Sequence, residues 1–291
     1  MGGPESIKHG CKERTERKIA IAIQSAAGLV WAHDRAATQP SFRGACPRTR
    51  EVQGNGPAIV FLPSLARDSD DYDAVASGLA DAGYRVLRPQ PRGIGRSRGP
   101  MKNISLHDFA RDVAEVVTRL GAGRAVLVGH AYGNWVARMT AVDHPQLVRG
   151  VVIAAAAAKQ YAPELTVAVT KAGDLALPDN ERLEALRFAF FAPGNDATVW
   201  LTGWHPEVRD SQRAALAAVK QDEWWSGGSA PLLDLQAAQD PFKPATKRNE
   251  MKNEFSDRVT LVVIDNASDA LIPEQPKAVV DALVEWVSLL P

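Results

Sequence analysis

Ala125-Val126-Leu127-Val128-Gly129-His130-Ala131-Tyr132-Gly133-Asn134-Trp135-Val136-Ala137-Arg138 is the stretch on which the reading of this chain turns. Its first four residues are an unbroken apolar run, as a strand buried on both faces requires. From Tyr132 onward the apolar positions follow a helical period. The joining segment carries a glycine at each end, Gly129 and Gly133. A turn this short strains the backbone and brings the helix close onto the strand, which leaves no room for side chains at those two places. Strand, tight turn and helix are therefore expected here.

Outward from this point the same alternation continues. Apolar runs predict strands over 58–62, 84–88, 125–128, 150–154, 232–236 and 259–264, and helical periodicity covers 70–82, 105–120, 132–142 and 276–289. Gly83, Gly121 and Pro145 stop the first three helices. Strands alternating with helices indicate an α/β protein, a mostly parallel sheet with crossover helices. Between about 159 and 229 no strand run occurs, and helix formers are mixed with Phe188, Phe190, Phe191, Trp200, Trp204, Trp224 and Trp225. Residues 51–158 and 230–291 thus read as the core, and 159–229 as a helical cap over the carboxyl edge of the sheet, where ligands bind. Residues 1–50 read as a poorly ordered leader, with an early strand at 49–53.

At 291 residues and 45% hydrophobic content the chain can close one large α/β core. Lysine plus arginine and aspartate plus glutamate number 34 each, so no net field draws it to nucleic acid or to an anionic membrane. A small molecule is the expected partner; oligomeric state is not legible. No run reaches the roughly eighteen apolar residues of a membrane span. Residues 12–31 faintly resemble a signal peptide, but Gln24 and Ser25 interrupt the apolar part, so a cytoplasmic protein is expected ahead of an exported one. Cys11 and Cys46 are open to a disulfide and lack metal-ligand spacing. No P-loop, dinucleotide fingerprint or basic aromatic patch occurs, so neither metal nor cofactor is expected.

Taken in order, these segments resemble the α/β-hydrolase family over residues 50–291. Gly129 to Gly133 looks like its nucleophile elbow, G-x-S-x-G, with Ala131 at the serine. Pro91-Arg92-Gly93-Ile94-Gly95-Arg96-Ser97 resembles the family's D-x-R-G-x-G-x-S loop, and Phe61-Leu62-Pro63-Ser64-Leu65 stands where many members have an H-G-x oxyanion turn. The resemblance implies an acid after the strand at 232–236, which is Asp240. It implies a histidine after the last strand, where this chain has Asp269. An alternative alignment makes Asp269 the acid and leaves too little chain for a histidine. Either way none of His9, His33, His107, His130, His144 and His205 follows the final strand.

Alanine cannot attack a carbonyl, and losing one member of a triad alone costs on the order of 10⁶ in turnover. By resemblance, the backbone N–H groups of Leu65 and Tyr132 would remain as an oxyanion hole. Asp240 and Asp269 would meet beside the space left at Ala131, where two carboxylates in one apolar site raise a pKa and could position water. Ser64, His130, Trp200, Trp204 and His205 complete the expected pocket, although His130 and Ser64 also read as structural and His205 as solvated. A hydrolase of a small apolar ester, lactone or amide that works without a covalent serine intermediate, a ligand-binding pseudo-hydrolase, and a serine hydrolase substituted to trap its substrate all fit this sequence.

Overall fold

Each of the six apolar runs becomes a strand of one sheet in a computed structural model, which describes residues 52–120 and 122–291. Gly121, both cysteines, and the leader and signal-like readings lie outside the described residues. In chain order come β1 (Val52–Gln53), β2 (Ala58–Leu62), α1 (Asp73–Asp81), β3 (Arg85–Leu87), α2 (Leu106–Arg119), β4 (Ala125–His130), α3 (Tyr132–Asp143) and β5 (Val148–Ala154). Then follow α4 (Pro163–Ala172), α5 (Asp179–Ala189), α6 (Pro206–Ala217), α7 (Gln221–Trp224), β6 (Leu232–Ala237), α8 (Glu250–Phe255), β7 (Val259–Ile264), α9 (Leu271–Glu274) and α10 (Pro276–Ser288). The helix expected over 70–82 divides into a 3₁₀ turn, Ser69–Tyr72, and α1. Asp68 causes this by accepting the Asp70 N–H at 2.9 Å, which caps a tighter first turn.

The spatial order is β1-β3-β2-β4-β5-β6-β7, with β1 antiparallel to β3 and every other pair parallel. Parallel pairing puts the carboxyl ends of the strands along one edge. The register aligns Leu62 with Gly129, His130 with Ala154, and Ala237 with Ile264. Residues 63–65, 131, 240 and 269 therefore all follow strand ends on that same edge. From β2 the chain moves to one side for β3 and then returns past β2 for β4, so the winding reverses at the β2–β4 boundary. Crevices at such a reversal are where open α/β sheets bind ligands.

Alternate strand residues feed two apolar layers, as a sheet covered on both faces demands. Val60, Leu62, Leu127 and Val151 pack with α2 and α3, while Ile59, Phe61, Val126 and Val128 pack with α1 and α10. The segment between β5 and β6 is helical and builds a third cluster from Leu165, Leu186, Phe190, Trp200 and Trp204, joined by Ala66 and Ala270 from the sheet edge.

The closest approach in the core is that of α3 to the sheet. A Cβ on Gly133 would stand 2.1 Å from the Leu62 carbonyl oxygen, and one on Gly129 would stand 2.4 Å from Asn134 Cα. Both obstacles are backbone, so no rotamer change relieves them. Gly133→Ala is expected to destabilise the fold by about 3 kcal/mol through overpacking, measured as a lower urea midpoint at unchanged slope.

Candidate active site

Ala131 occupies the apex of the turn with φ 44° and ψ −109°. A residue with a Cβ avoids this conformation, which costs about 1–3 kcal/mol and persists only where its surroundings over-determine it. They do so here. The Ala131 N–H donates to Ala154 O at 3.0 Å, and the Ala131 carbonyl accepts the Asn134 N–H at 3.1 Å and the Asn134 side-chain amide. Asn134 Oδ1 in turn accepts from Arg138, whose guanidinium lies over the rings of Trp224 and Trp225 at 4.8 and 4.6 Å and donates to Trp225 O. Burial pushes the Arg138 pKa down to about 9. The turn is thus tied, through one buried arginine, to the helical insertion.

His130 is fully buried. Its Nε2 faces the Asp269 carbonyl at 2.6 Å, and a carbonyl only accepts, so Nε2 carries the proton. Nδ1 then accepts from the Tyr72 hydroxyl at 3.0 Å, and Tyr72 Oη accepts the Ser64 N–H at 3.1 Å. Burial lowers the His130 pKa to about 4. Both ring nitrogens are engaged, so this histidine fastens the 64 and 269 loops to the end of β4 and has no lone pair to offer a ligand.

Asp240 and Asp269 are both buried. Asp240 Oδ1 accepts the Phe242 N–H at 2.8 Å, whereas Asp240 Oδ2 and Asp269 Oδ1 have no hydrogen-bond partner among the described residues. Burial pushes the Asp240 carboxyl up to about 7, and burial together with the charges of Asp240 and Glu274 holds Asp269 well above the ordinary carboxylate range. The Lys243 ammonium offsets the burial of Asp240 only in part, since it is bound to the buried Asp234 carboxylate at 2.8 and 3.0 Å. Glu274 fixes the loop by accepting the Ser268 N–H at 2.7 Å, and Ser268 Oγ donates to Gln239 O.

A cavity of about 170 Å³ opens over the turn, lined from the sheet edge by Ser64, Leu65, Ala131, Tyr132 and Asp269, and from the insertion by Tyr161, Thr166, Phe190, Arg213 and Leu216. The Ser64 and Ala66 amides are committed to Tyr72 and to Gln212 Oε1, and the Leu65 N–H between them has no acceptor among the described residues. Tyr132 begins α3, so its N–H lacks an intrahelical acceptor. Gln212 also holds α6 in place, because its carbonyl accepts from the Tyr132 hydroxyl at 3.0 Å. A larger cavity, about 360 Å³, lies against α2 and the 88–97 loop and reaches Tyr132 and Gly133, but not Ala131 or Asp269. The smaller one contains the strained turn and the Asp269 carboxyl.

A family model for the alpha/beta hydrolase fold matches residues 57–209. The chain belongs to this α/β-hydrolase family. A relative named 2-(acetamidomethylene)succinate hydrolase, from Mesorhizobium japonicum, is 31% identical over 100 residues, which is 34% of this chain and 36% of that protein. The chain thus matches about a third of that relative's length. Two solved structures share the fold: an esterase from Exiguobacterium antarcticum, with TM-score 0.68, 18% identity and coverage of 82% and 94% of the two chains, and E-2-(acetamidomethylene)succinate hydrolase, with TM-score 0.67, 19% identity and coverage of 81% and 93%.

Against the family's pattern, Ser64, Leu65, Ala131, Tyr132 and Asp269 meet at one cavity, with Asp240 close enough behind for its charge to bear on Asp269. His130, Trp200, Trp204 and His205 do not line it. His130 lies beneath the turn for the reason given. Trp200 and Trp204 sit in the insertion's own core, with the Arg67 guanidinium over their rings at 4.7 and 5.0 Å. His205 faces Asp68 at 3.3 Å, outside the cavity. Among the described residues no group of three or more His, Cys, Asp or Glu could hold a metal ion, and no helix is long and apolar enough to cross a membrane. The sequence reading missed Tyr72, Gln212, Arg213 and Glu274, none of which belongs to a local motif.

Two stability measurements follow from this geometry. Ala131→Gly relieves the positive φ and is expected to stabilise the fold by about 1 kcal/mol in urea unfolding. For Asp269 the folded pKa exceeds the unfolded 3.8. Its contribution is fully present below the unfolded pKa and is lost as pH rises through the folded one. Asn cannot ionise, so the thermal midpoint of Asp269→Asn relative to the parent is expected to climb as pH rises above the unfolded value of 3.8; a difference independent of pH contradicts this.

Proposed function

We propose that this chain hydrolyses a small ester, lactone or amide by direct attack of water, with no covalent serine intermediate. The observation that carries the reading is the pair of buried carboxyls, Asp240 and Asp269, each with an unpartnered oxygen, the second in the wall of the cavity over Ala131. The helical insertion acts as the cap that closes this cavity. Relatives named as hydrolases agree in reaction class, and the name of one specifies an acetamido compound.

The site handles charge as follows. Two carboxyls in one apolar site do not both ionise easily, so the pair holds one proton near neutral pH. At rest the shared proton lies on Asp269, whose carboxyl burial and the Asp240 charge hold up; its passage to Asp240 leaves Asp269 ionised, and Asp269 then takes a proton from a water in the space beside the Ala131 methyl as the water oxygen bonds to the substrate carbonyl carbon. The carbonyl electron pair moves onto its oxygen, which the Leu65 and Tyr132 N–H groups stabilise. Collapse of that intermediate breaks the bond to the leaving group, which departs with the proton from the carboxyl pair. Ser64 serves the turn, and His130 holds the two loops in register.

A p-nitrophenyl ester panel on four chains tests this. The parent chain is expected to turn over without a burst and without a covalent adduct from a serine-directed phosphonate. Asp269→Asn is expected to lower kcat by about 10²-fold or more, the usual contribution of a general base. Turnover of the parent should fall on acidification with a midpoint above 3.8, because both carboxyls are held up by burial. Unchanged activity in Asp269→Asn overturns the mechanism. A burst confined to Ala131→Ser with Asp269→His, and absent from Ala131→Ser alone, marks a serine hydrolase that has lost its triad. Saturable ligand binding with no turnover in any chain leaves the binding protein as the function.

A further inference from the structure

Among the described residues that line the cavity over Ala131, Arg213 is the only cation. It projects from α6, is partly buried, and burial lowers its pKa. Among the described residues it makes no ion pair, and its one hydrogen bond runs to a neutral acceptor, Thr170 Oγ1, at 3.3 Å. Its neighbour on the same helix behaves differently: Arg209 pairs with Asp210 at 3.0 Å and does not line the cavity. A guanidinium at a cavity wall with no carboxylate paired to it keeps a planar fork of donors for an incoming carboxylate in two-point contact. Tyr161 and Thr166 put two further polar side chains on the same wall. The rest of that wall is apolar, with Val169, Phe190, Leu216 and Phe242.

The position of Arg213 is not incidental to chain direction. Gln212, immediately before it, is locked by the Ala66 N–H at 2.7 Å and by the Tyr132 hydroxyl, so the helix turn that presents Arg213 is referenced to the same two loops that supply the Leu65 and Tyr132 amides. One small cavity therefore offers backbone donors for a carbonyl oxygen and, from a helix turn held by Gln212, a guanidinium for an anion. At about 170 Å³ it is smaller than the roughly 300–1,000 Å³ typical of drug-sized ligands, so both groups must belong to one compact molecule.

We infer that the ligand of this site is a small carbonyl compound that also carries a carboxylate, with Arg213 as the residue that selects for the anion. This rests on the reading of the Ala131 cavity as the substrate site and narrows its substrate class to acyl derivatives bearing a free acid. The sequence expectation of an apolar ligand gives way to an amphiphilic one.

Calorimetric titration of the full chain with 4-acetamidobutyrate and with its neutral primary amide tests the inference by binding alone. The parent is expected to prefer the carboxylate by roughly tenfold or more, with the preference shrinking as salt is raised. Arg213→Gln should abolish the preference, Arg213→Lys should keep part of it, and Arg209→Gln should leave it intact. Equal affinity for the two probes, no saturable binding of the carboxylate, or a preference that survives in Arg213→Gln overturns the inference. Failure here is separable from failure of the hydrolytic reading. A carboxylate preference without turnover of any ester defeats only the latter, and turnover of neutral esters without charge preference defeats only the former.

Discussion

The contact between the first turn of α3 and the carboxyl ends of β2 and β4 constrains everything else at the site. Gly133 lies so near the Leu62 carbonyl that nothing larger than hydrogen fits, and this closeness forces the chain through a positive φ at Ala131. That single approach sets the direction of α3, frees the amide of Tyr132 at its start, and brings the turn after β2 alongside. The strain is held by hydrogen bonds to Ala154 and Asn134 and, beyond them, by Arg138 under the tryptophans of α7 and the residue after it. A serine in this conformation would be presented as a nucleophile; the alanine leaves the geometry intact and the attacking atom absent.

Charge is distributed around the turn so that it is costly in one place and settled in the others. Asp234 has Lys243, Asp71 has Arg67 and Asp112 has Arg92. His130 is neutral because both nitrogens are occupied and the ring is out of water. Asp240 and Asp269 are both buried with an unpartnered oxygen each, and the Asp240 charge bears on Asp269. Of the two, Asp269 shares a cavity wall with Ala131.

The helical insertion supplies one wall of the cavity. Its aromatic residues divide between its own core, where Trp200 and Trp204 meet Phe190 edge to face and lie under Arg67, and the cavity wall, where Phe190 is joined by Phe242 from the loop after β6. Gln212 couples the two halves by bonding to the β2 turn and to Tyr132 at once. The insertion therefore fixes the chemistry of the far wall, including its one cation, in register with the sheet edge.

The strand and helix pattern, the parallel sheet and the elbow were all legible in the sequence, because each depends on local periodicity or on two glycines a few residues apart. The order of segments sufficed to place Ala131, Asp240 and Asp269 after β4, β6 and β7, since a parallel sheet sends every such loop to one edge. Sequence could not say which insertion residues face the cavity. The helices of the insertion carry apolar and charged residues on several faces, and only their docking decides that Trp200, Trp204 and His205 turn away while Phe190 and Arg213 turn inward. Nor could it reveal that Tyr72, 58 residues before His130, completes the latch on that ring, because such a partner is chosen by three-dimensional proximity. Local periodicity and segment order are written along the chain; the polarity and selectivity of the cavity are set by contacts between segments far apart in it, and only the tertiary structure decided those.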